Sequence, residues 1–502
     1  MSEQQKIGAF IKSVRDARGM TQEEFARALK TSQSAVARME AGKQNFTTGV
    51  LEKISSALGR RIIAMSDSID FEIEGGHELH GSIQTNASKN GALGILAASL
   101  LNHAPSVLHG IPRIEEVNRF IEVLESIGIS VEWIGQNSVR VTVPERLHMG
   151  KLNNTSAGKI RSVLMLIGGL IHREKIFRIP HAGGCKMGQR TIAAHRYGLE
   201  ALGAKITTHD QYYEISLKKL HPADITLYEA SDTATENLLI AAACIPGVTT
   251  LSFATPNYQV QDVCFFLEQL GVRIEGIGTS TLRVHGVANI NASVEYHNSE
   301  DPIESMMFLS AAITTNSQLT ITRCPIDFLK LELLKLEKMG LKYKMSKSYS
   351  AHNGKTKLVD ITTYSSKLHA PADKLHAQPY PGINSDNLPF FVPIATQAKG
   401  QTLIHDWMWE NRAIYFTELN RLGANITLAD PHRAFVQGPT PLKAAQVVCP
   451  PALRPAMIIL IAMLAAKGTS VLRNVYSINR GYEEIAQRLN TIGAKIKVLS
   501  GM

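Results

Sequence analysis

The most persistent pattern in the chain is a helical phrase, Leu-x-x-(Leu/Ile/Met)-Gly, followed at once by a strand-like alternation of apolar and polar residues. It occurs six times, as LESIGISV, LEALGAKI, LEQLGVRI, LEKMGLKY, LNRLGANI and LNTIGAKI. The glycines are Gly128, Gly203, Gly271, Gly340, Gly423 and Gly493, separated by 75, 68, 69, 83 and 70 residues. Each predicts a helix that stops at a glycine, the residue that enters the left-handed region without a Cβ penalty. Upstream lies a second helix that is small and apolar almost all round, as in NGALGILAASLL, ENLLIAAACI and PAMIILIAMLAA, each followed by a short strand. Helices of that kind are buried. Each unit is therefore βαβαβ-like and cannot hide its own apolar face. Six copies predict an α/β body, most simply two similar domains of three units each. A solenoid with a binding surface is the alternative, but ~70-residue units exceed the usual 20–50-residue repeats.

Residues 1–66 follow a different rhythm. Ile7, Phe10, Ile11 and Val14 mark one apolar helical face, ending at Gly19. Thr21 opens Thr-Gln-Glu-Glu, a capping-box pattern, before Phe25, Ala26 and Leu29. Lys30-Thr31 forms a turn into SQSAVARME, ending at Gly42, and Val50, Leu51, Ile54 and Leu58 mark a further helix. This stretch resembles the Cro/phage-repressor type of helix-turn-helix domain. The resemblance implies that the helix starting near Ser32 enters the major groove, with Gln33, Ser34 and Arg38 facing bases or phosphates. A helical bundle kept for dimerisation is the alternative.

Charge sharpens the division. The 502 residues carry a formal net charge of +9. Residues 1–66 hold 11 Lys+Arg against six acids, so more than half of the excess sits in about an eighth of the chain. The expected organisation is a helix-turn-helix domain over 1–66, one α/β domain over 67–87 plus 300–502, and a second over 88–299. Apolar content of 44% excludes a mainly disordered chain. No apolar run reaches membrane-spanning length, and the opening MSEQQKIGAF has no signal-peptide core, so a cytoplasmic protein is expected. Five scattered cysteines without CxxC spacing fit a reducing compartment and argue against a cysteine zinc site.

Four stretches carry polar groups that a packed repeat does not need. Ala87-Ser88-Lys89-Asn90 stands before a helix, where a lysine and free N–H groups suit an anion. His181–Arg190, reading HAGGCKMGQR, is a glycine-rich loop in which Lys186 and Arg190 could lower the pKa of Cys185. Tyr380–Asp386 presents a carboxylate, and NRGYE follows Arg454 near the C-terminus. A lone cysteine is usually a small core residue, and single arginines are usually surface ion pairs. Arg161 and Arg454, however, open strongly apolar helices, where a positive charge opposes the helix dipole. Arg and Lys grouped with one Asp and one Cys would suit a small, multiply anionic substrate.

Several of these motifs recur in order and at matching separations in the enolpyruvyl transferase family, which residues 67–502 resemble, most of all in its branch acting on UDP-N-acetylglucosamine. SKNGAL matches the lysine-asparagine motif (Lys89, Asn90), IRSVLM the arginine segment (Arg161), and GGCKMGQR the loop of the catalytic cysteine (Cys185, Arg190). INSDNLPF matches the aspartate segment (Asp386), while WENRA, LRPAM and NRGYE supply Arg412, Arg454 and Arg480. His195 and Ser231 match nucleotide-side positions. The resemblance implies two domains folded as inside-out α/β barrels. It further implies transfer of the enolpyruvyl group of phosphoenolpyruvate to the 3′-hydroxyl of UDP-N-acetylglucosamine, releasing phosphate, the first committed step of peptidoglycan precursor synthesis. Lys89, Arg161, Arg190, Arg454 and Arg480 would hold phosphoenolpyruvate, since guanidinium forks suit carboxylate and phosphate. Cys185 would protonate the methylene carbon and react with fosfomycin, and Asp386 would act on the sugar hydroxyl. The implied reaction requires no metal or cofactor.

The match departs from the family where the nucleotide is held. After Arg190 the chain reads Thr191-Ile192-Ala193-Ala194, without the family's proline and aspartate. Thr233 replaces a glycine, Glu229 a lysine, and Ala452 an acid. Two further readings therefore stand beside the first. One is an enolpyruvyl transferase for a different nucleotide acceptor; the shikimate-pathway relative fits less well because its loop lacks the cysteine. The other is a DNA-binding regulator whose enzyme-like body senses a ligand.

Overall fold

A computed structural model describes residues 3–43, 50, 53–54, 69–183 and 191–500. The chain divides into a small N-terminal unit and a large unit spanning Asp70–Leu499.

In the small unit, helices Glu3–Ala17, Gln22–Ala28 and Gln33–Glu40 enclose a core of Ile11, Val14, Phe25, Ala26, Val36, Met39 and Ile54. Gly19 ends the first helix at φ +65°. The capping box forms as the sequence predicts: the Glu24 amide donates to Thr21 Oγ1 (3.2 Å), and Glu24 Oε2 accepts from the Thr21 amide (2.8 Å). Buried Arg15 donates to both oxygens of Glu40, tying the first helix to the third. Gln33, Ser34 and Arg38 are exposed on that third helix. The expected fourth helix falls mostly outside the described residues; Ile54 within it is fully buried.

The large unit is built around two apolar cores, one drawn from residues between Ala92 and Tyr296, the other from Phe71–Ile83 together with residues 303–496. All six repeat glycines adopt φ between +86° and +104°, because each reverses the chain from helix into strand. The apolar helices are interior, as their all-round hydrophobicity predicts. Every residue of Pro302–Thr314 is buried, as is all of Leu453–Ala465 except its last residue. Six separate sheets surround them, three to each core, and among the described residues they do not join into one hydrogen-bonded cylinder. Five have a short parallel edge strand beside antiparallel ones; the sheet of 176–180, 212–217 and 204–208 has three strands only. The fifth repeat also departs from expectation, since Ala413–Leu422 winds as a 3₁₀ helix.

The chain crosses between the two α/β domains twice. Strand Ile69–Gly75 completes the sheet of the last repeat, beside Gly468–Arg473. The chain then passes over at residues 86–88 and returns at 298–301. There the Ser88 amide donates to Ser299 O (2.7 Å) and the Asp301 amide to Asn86 O (2.8 Å). Gly91 in SKNGAL is required at this crossing, because a Cβ would lie 2.5 Å from Asn298 Oδ1 and 2.9 Å from Asp262 Oδ2. Among the described residues, no helix is long and apolar enough to cross a membrane.

Candidate active site

A cavity of about 530 Å³ is lined by both α/β domains and gathers Lys89, Asn90, Arg161, Ser231, Asp386, Arg412, Arg454 and Arg480. Lys89, Arg161 and Arg454 stand at the starts of helices, whereas Arg480 follows the last residue of the short helix Tyr476–Asn479. Ser88 caps the helix Lys89–Ala98 by accepting from the Gly91 amide (3.0 Å), which places Lys89 in the first turn. The dipole disfavours a cation there, and Glu116 offsets it with a 2.8 Å ion pair to Lys89 Nζ. Arg454, in the first turn of Leu453–Ala465, donates to Tyr482 Oη (2.7 Å) and Asp386 Oδ2 (3.0 Å). Arg161 donates to the Thr191 carbonyl (2.7 Å), and Asn90 to Tyr258 Oη and Gln259 Oε1.

These cations set the protonation of the acids among them. Burial alone would raise the Asp386 carboxyl, but Arg454, Arg412 and Lys89 outweigh it and hold it below the usual carboxylate range. Burial likewise opposes charge on Glu116, and Lys89, then Arg480 and Arg454, hold it low. Asp386 is thus held towards its charged form, on a turn fixed by the Asn384 side chain, which accepts from the Asp386 amide (2.8 Å).

The adjoining region, at the start of helix Asp232–Ala243, has the opposite character. Asp232 and Glu236, one turn apart, line the cavity with Glu229. Burial raises both carboxyls, Glu236 strongly, and the charges acting on Glu236 are those of Asp232 and Asp262. Glu236 is completely buried and, among the described residues, neither of its oxygens has a hydrogen-bond partner at ordinary length, although Gln259 acts to offset the burial.

Not every expected residue faces the cavity. His195 is buried beneath it, its Nδ1 3.0 Å from Asn237 Nδ2 and its Nε2 3.3 Å from Thr233 Oγ1; only Thr233 of this set reaches the lining. His195, expected on the nucleotide side, thus lies behind Thr233 rather than on the cavity lining. Arg412 also differs from expectation. Its side chain is fully buried and paired with buried Asp406 (Nε to Oδ2 2.5 Å), while NH2 donates to the Ser385 carbonyl (2.6 Å) and NH1 reaches Asp386 (3.4 Å). It fixes the aspartate turn rather than presenting a free fork. Cys185 and Arg190 lie outside the described residues; Thr191, which follows them, lines the cavity.

Nothing in the sequence singles out Glu116, Tyr258 or Gln259. Glu116 reads as an ordinary first-turn acid of an amphipathic helix. Tyr258 and Gln259 begin a helix whose partner across the cleft is visible only in three dimensions: Asn384 Nδ2 lies 3.3 Å from Asn257 Oδ1.

Residues 73–489 match the family described as EPSP synthase (3-phosphoshikimate 1-carboxyvinyltransferase), and residues 11–63 match a helix-turn-helix family. The chain belongs to the enolpyruvyl transferase family represented by that match and carries a helix-turn-helix domain ahead of it. Within the family it is 37% identical over 431 residues to a UDP-N-acetylglucosamine 1-carboxyvinyltransferase of Bradyrhizobium diazoefficiens, covering 86% of this chain and 98% of that one. A protein of the same name from Treponema denticola is 35% identical over 86% and 99% of the two chains. Among solved structures, the enolpyruvyl transferase NikO from Streptomyces tendae shares the fold, with a TM-score of 0.73 and 24% identity over 87% of this chain and 100% of that one.

Proposed function

We propose that the chain transfers the enolpyruvyl group of phosphoenolpyruvate to the 3′-hydroxyl of UDP-N-acetylglucosamine, releasing phosphate. The observation that carries this reading is the convergence of Lys89, Arg161, Arg454 and Arg480 with ionised Asp386 in one interdomain cavity. The relatives' names supply the acceptor. Lys89, Arg161, Arg190, Arg454 and Arg480 hold the phosphate and carboxylate, preorganising positive charge where the reaction needs it. Asn90 and Ser231 contact the acceptor. Asp386 takes the hydroxyl proton as the oxygen bonds to C2 of phosphoenolpyruvate, and Cys185 delivers a proton to C3. Loss of a C3 proton and cleavage of the C2–O bond to phosphate then restore the double bond. The domains that close around this site are 67–87 plus 300–502 and 88–299.

Phosphate release with both substrates tests the proposal: the wild-type chain turns over, and Cys185→Ala loses most of that rate. Fosfomycin adds its mass to the wild type but not to Cys185→Ala. Absence of turnover with UDP-N-acetylglucosamine overturns the acceptor assignment.

One observation favours a second acceptor. Glu229, Asp232 and Glu236 line the region where the family places a lysine and a glycine beside the acceptor's diphosphate. A diphosphate there meets carboxylates rather than a cation. Faster turnover with a nucleotide carrying fewer phosphates would select that reading. For residues 1–66 the proposed partner is DNA, contacted by Gln33, Ser34 and Arg38. Binding by the full chain that weakens steeply with salt, and is lost in Arg38→Ala, supports it. DNA binding by a chain that turns over no acceptor would instead support a regulator with a sensing body.

A further inference from the structure

Away from the cleft, the edge of one sheet carries a side-chain cluster that the proposed reaction does not use. Strands Ser106–His109 and Val294–His297 run parallel, with His109 directly opposite His297. Glu295 precedes His297 by two residues and so projects from the same face. One ligand atom each from His109, Glu295 and His297 lies within 4.8 Å of the others. On the next strand Ser138 stands opposite His109, its Oγ 2.8 Å from His109 Nδ1. His352, from the other α/β domain, brings its ring to 5.2 Å from that of His297.

We infer that His109, Glu295 and His297 form a binding site for a divalent transition metal such as zinc, next to the crossing between the two domains. Ser138 Oγ lies 2.8 Å from His109 Nδ1 and Glu295 Oε1 lies 2.8 Å from His109 Nε2, so a metal at Nε2 would take the place of the proton that otherwise bridges His109 and Glu295. A hydroxyl that fixes the far nitrogen of a ligating histidine is the ordinary outer support of a metal site. The nearby cation Arg323 is already held by Glu300. Two imidazoles and one carboxylate match zinc in ligand type, and closing to bonds of ~2.0–2.2 Å needs a shift of about 1 Å, available to exposed Glu295 and half-buried His297. Seated there, the metal leaves a fourth position open to water, beside residues 298–301.

The site is independent of the reaction proposed above, and its test reads metal binding alone. Zinc is titrated calorimetrically into full-length chain without a polyhistidine tag, in a Cys185→Ser background that removes the loop thiol. One equivalent is expected to bind. His109→Ala/His297→Ala should lose that equivalent, Ser138→Ala should weaken it by roughly tenfold, and cobalt should give a visible d–d band that vanishes in the double variant. Glu295→Gln, at an exposed position, guards against misfolding and should weaken zinc at least tenfold with unchanged thermal melting. Zinc binding that is absent from the Cys185→Ser chain, or equal in the double variant and in Glu295→Gln, overturns the inference.

Discussion

Lys89 and Glu236 sit on helices that pack together and line the same cavity, yet their charges are handled differently. Around Lys89 every acid has a cation within reach: Glu116 pairs with Lys89, Asp386 with Arg454, and both carboxyls are held below their usual range. Around Glu236 the neighbouring charges are other carboxylates, and its own carboxyl rises. Burial is common to both; at Glu116 and Asp386 the surrounding cations outweigh it, and at Glu236 no cation acts against it. The first region is built to keep charge while a dianion binds. In the second, burial raises the carboxyls of Asp232 and Glu236, and the charge acting most on Glu236 is that of another acid.

The pair Arg412–Asp406 shows how much a compensated buried charge is worth, and its disruption is the largest effect expected. Both side chains are fully buried. Arg412→Met leaves Asp406 without a partner and should destabilise the large unit by about 3–5 kcal/mol. Arg412→Met/Asp406→Leu should recover much of that, read as the denaturation midpoint. Equal loss in the single and double variants would mean that the pair's charges are not what matters.

Next in size is Lys89→Ala, which removes one preorganised cation and leaves Glu116 without its ion-pair partner. A drop in kcat/KM for phosphoenolpyruvate of roughly 100- to 1,000-fold is expected. Arg454→Gln tests the same region through pH. The cations hold Asp386 ionised down to low pH, so removing one raises its pKa, and the acid limb of kcat/KM should move to higher pH. A limb that stays in place would detach Asp386 from the rate-limiting proton transfer.

How much of this was legible in the sequence follows from the same contrast. The six glycines and the all-round apolar helices announce themselves because each is repeated, and helix burial leaves a local signature. The cationic region was legible because lysine and arginine at the mouths of apolar helices break the local rule and so stand out. The burial of Arg412 was not legible, for the reverse reason. In WENRA it resembles an exposed arginine, and only Asp406, six residues upstream and brought beside it by the fold, explains its burial. Glu236 was invisible as a buried acid because DTATENLLIAAA reads as a helix with a polar first turn. Its isolation is created by helix 89–98, where Glu236 Oε1 lies 3.1 Å from where a Cβ on Gly94 would stand.

Glu236→Gln is the smallest change and tests the other half of the comparison. A carboxyl with a raised folded-state pKa binds a proton that the unfolded chain releases, so the native state loses relative stability as pH rises above the ordinary carboxylate range. Glutamine cannot titrate and escapes that loss. The melting temperature of the variant relative to wild type should therefore increase as pH rises above the ordinary carboxylate range, and then level off once pH passes the raised value. The gain should be of order a few degrees, since ~1 kcal/mol moves Tm by roughly 2–4 °C in domains of 150–250 residues. The KM for phosphoenolpyruvate should not change, whereas the KM for the acceptor should, because Glu236 lies on the acceptor side and no cation of the first region acts on it. A pH-independent difference in melting would show that Glu236 is ionised in the folded chain, and that an approaching cation, from the protein or from the acceptor, compensates it after all.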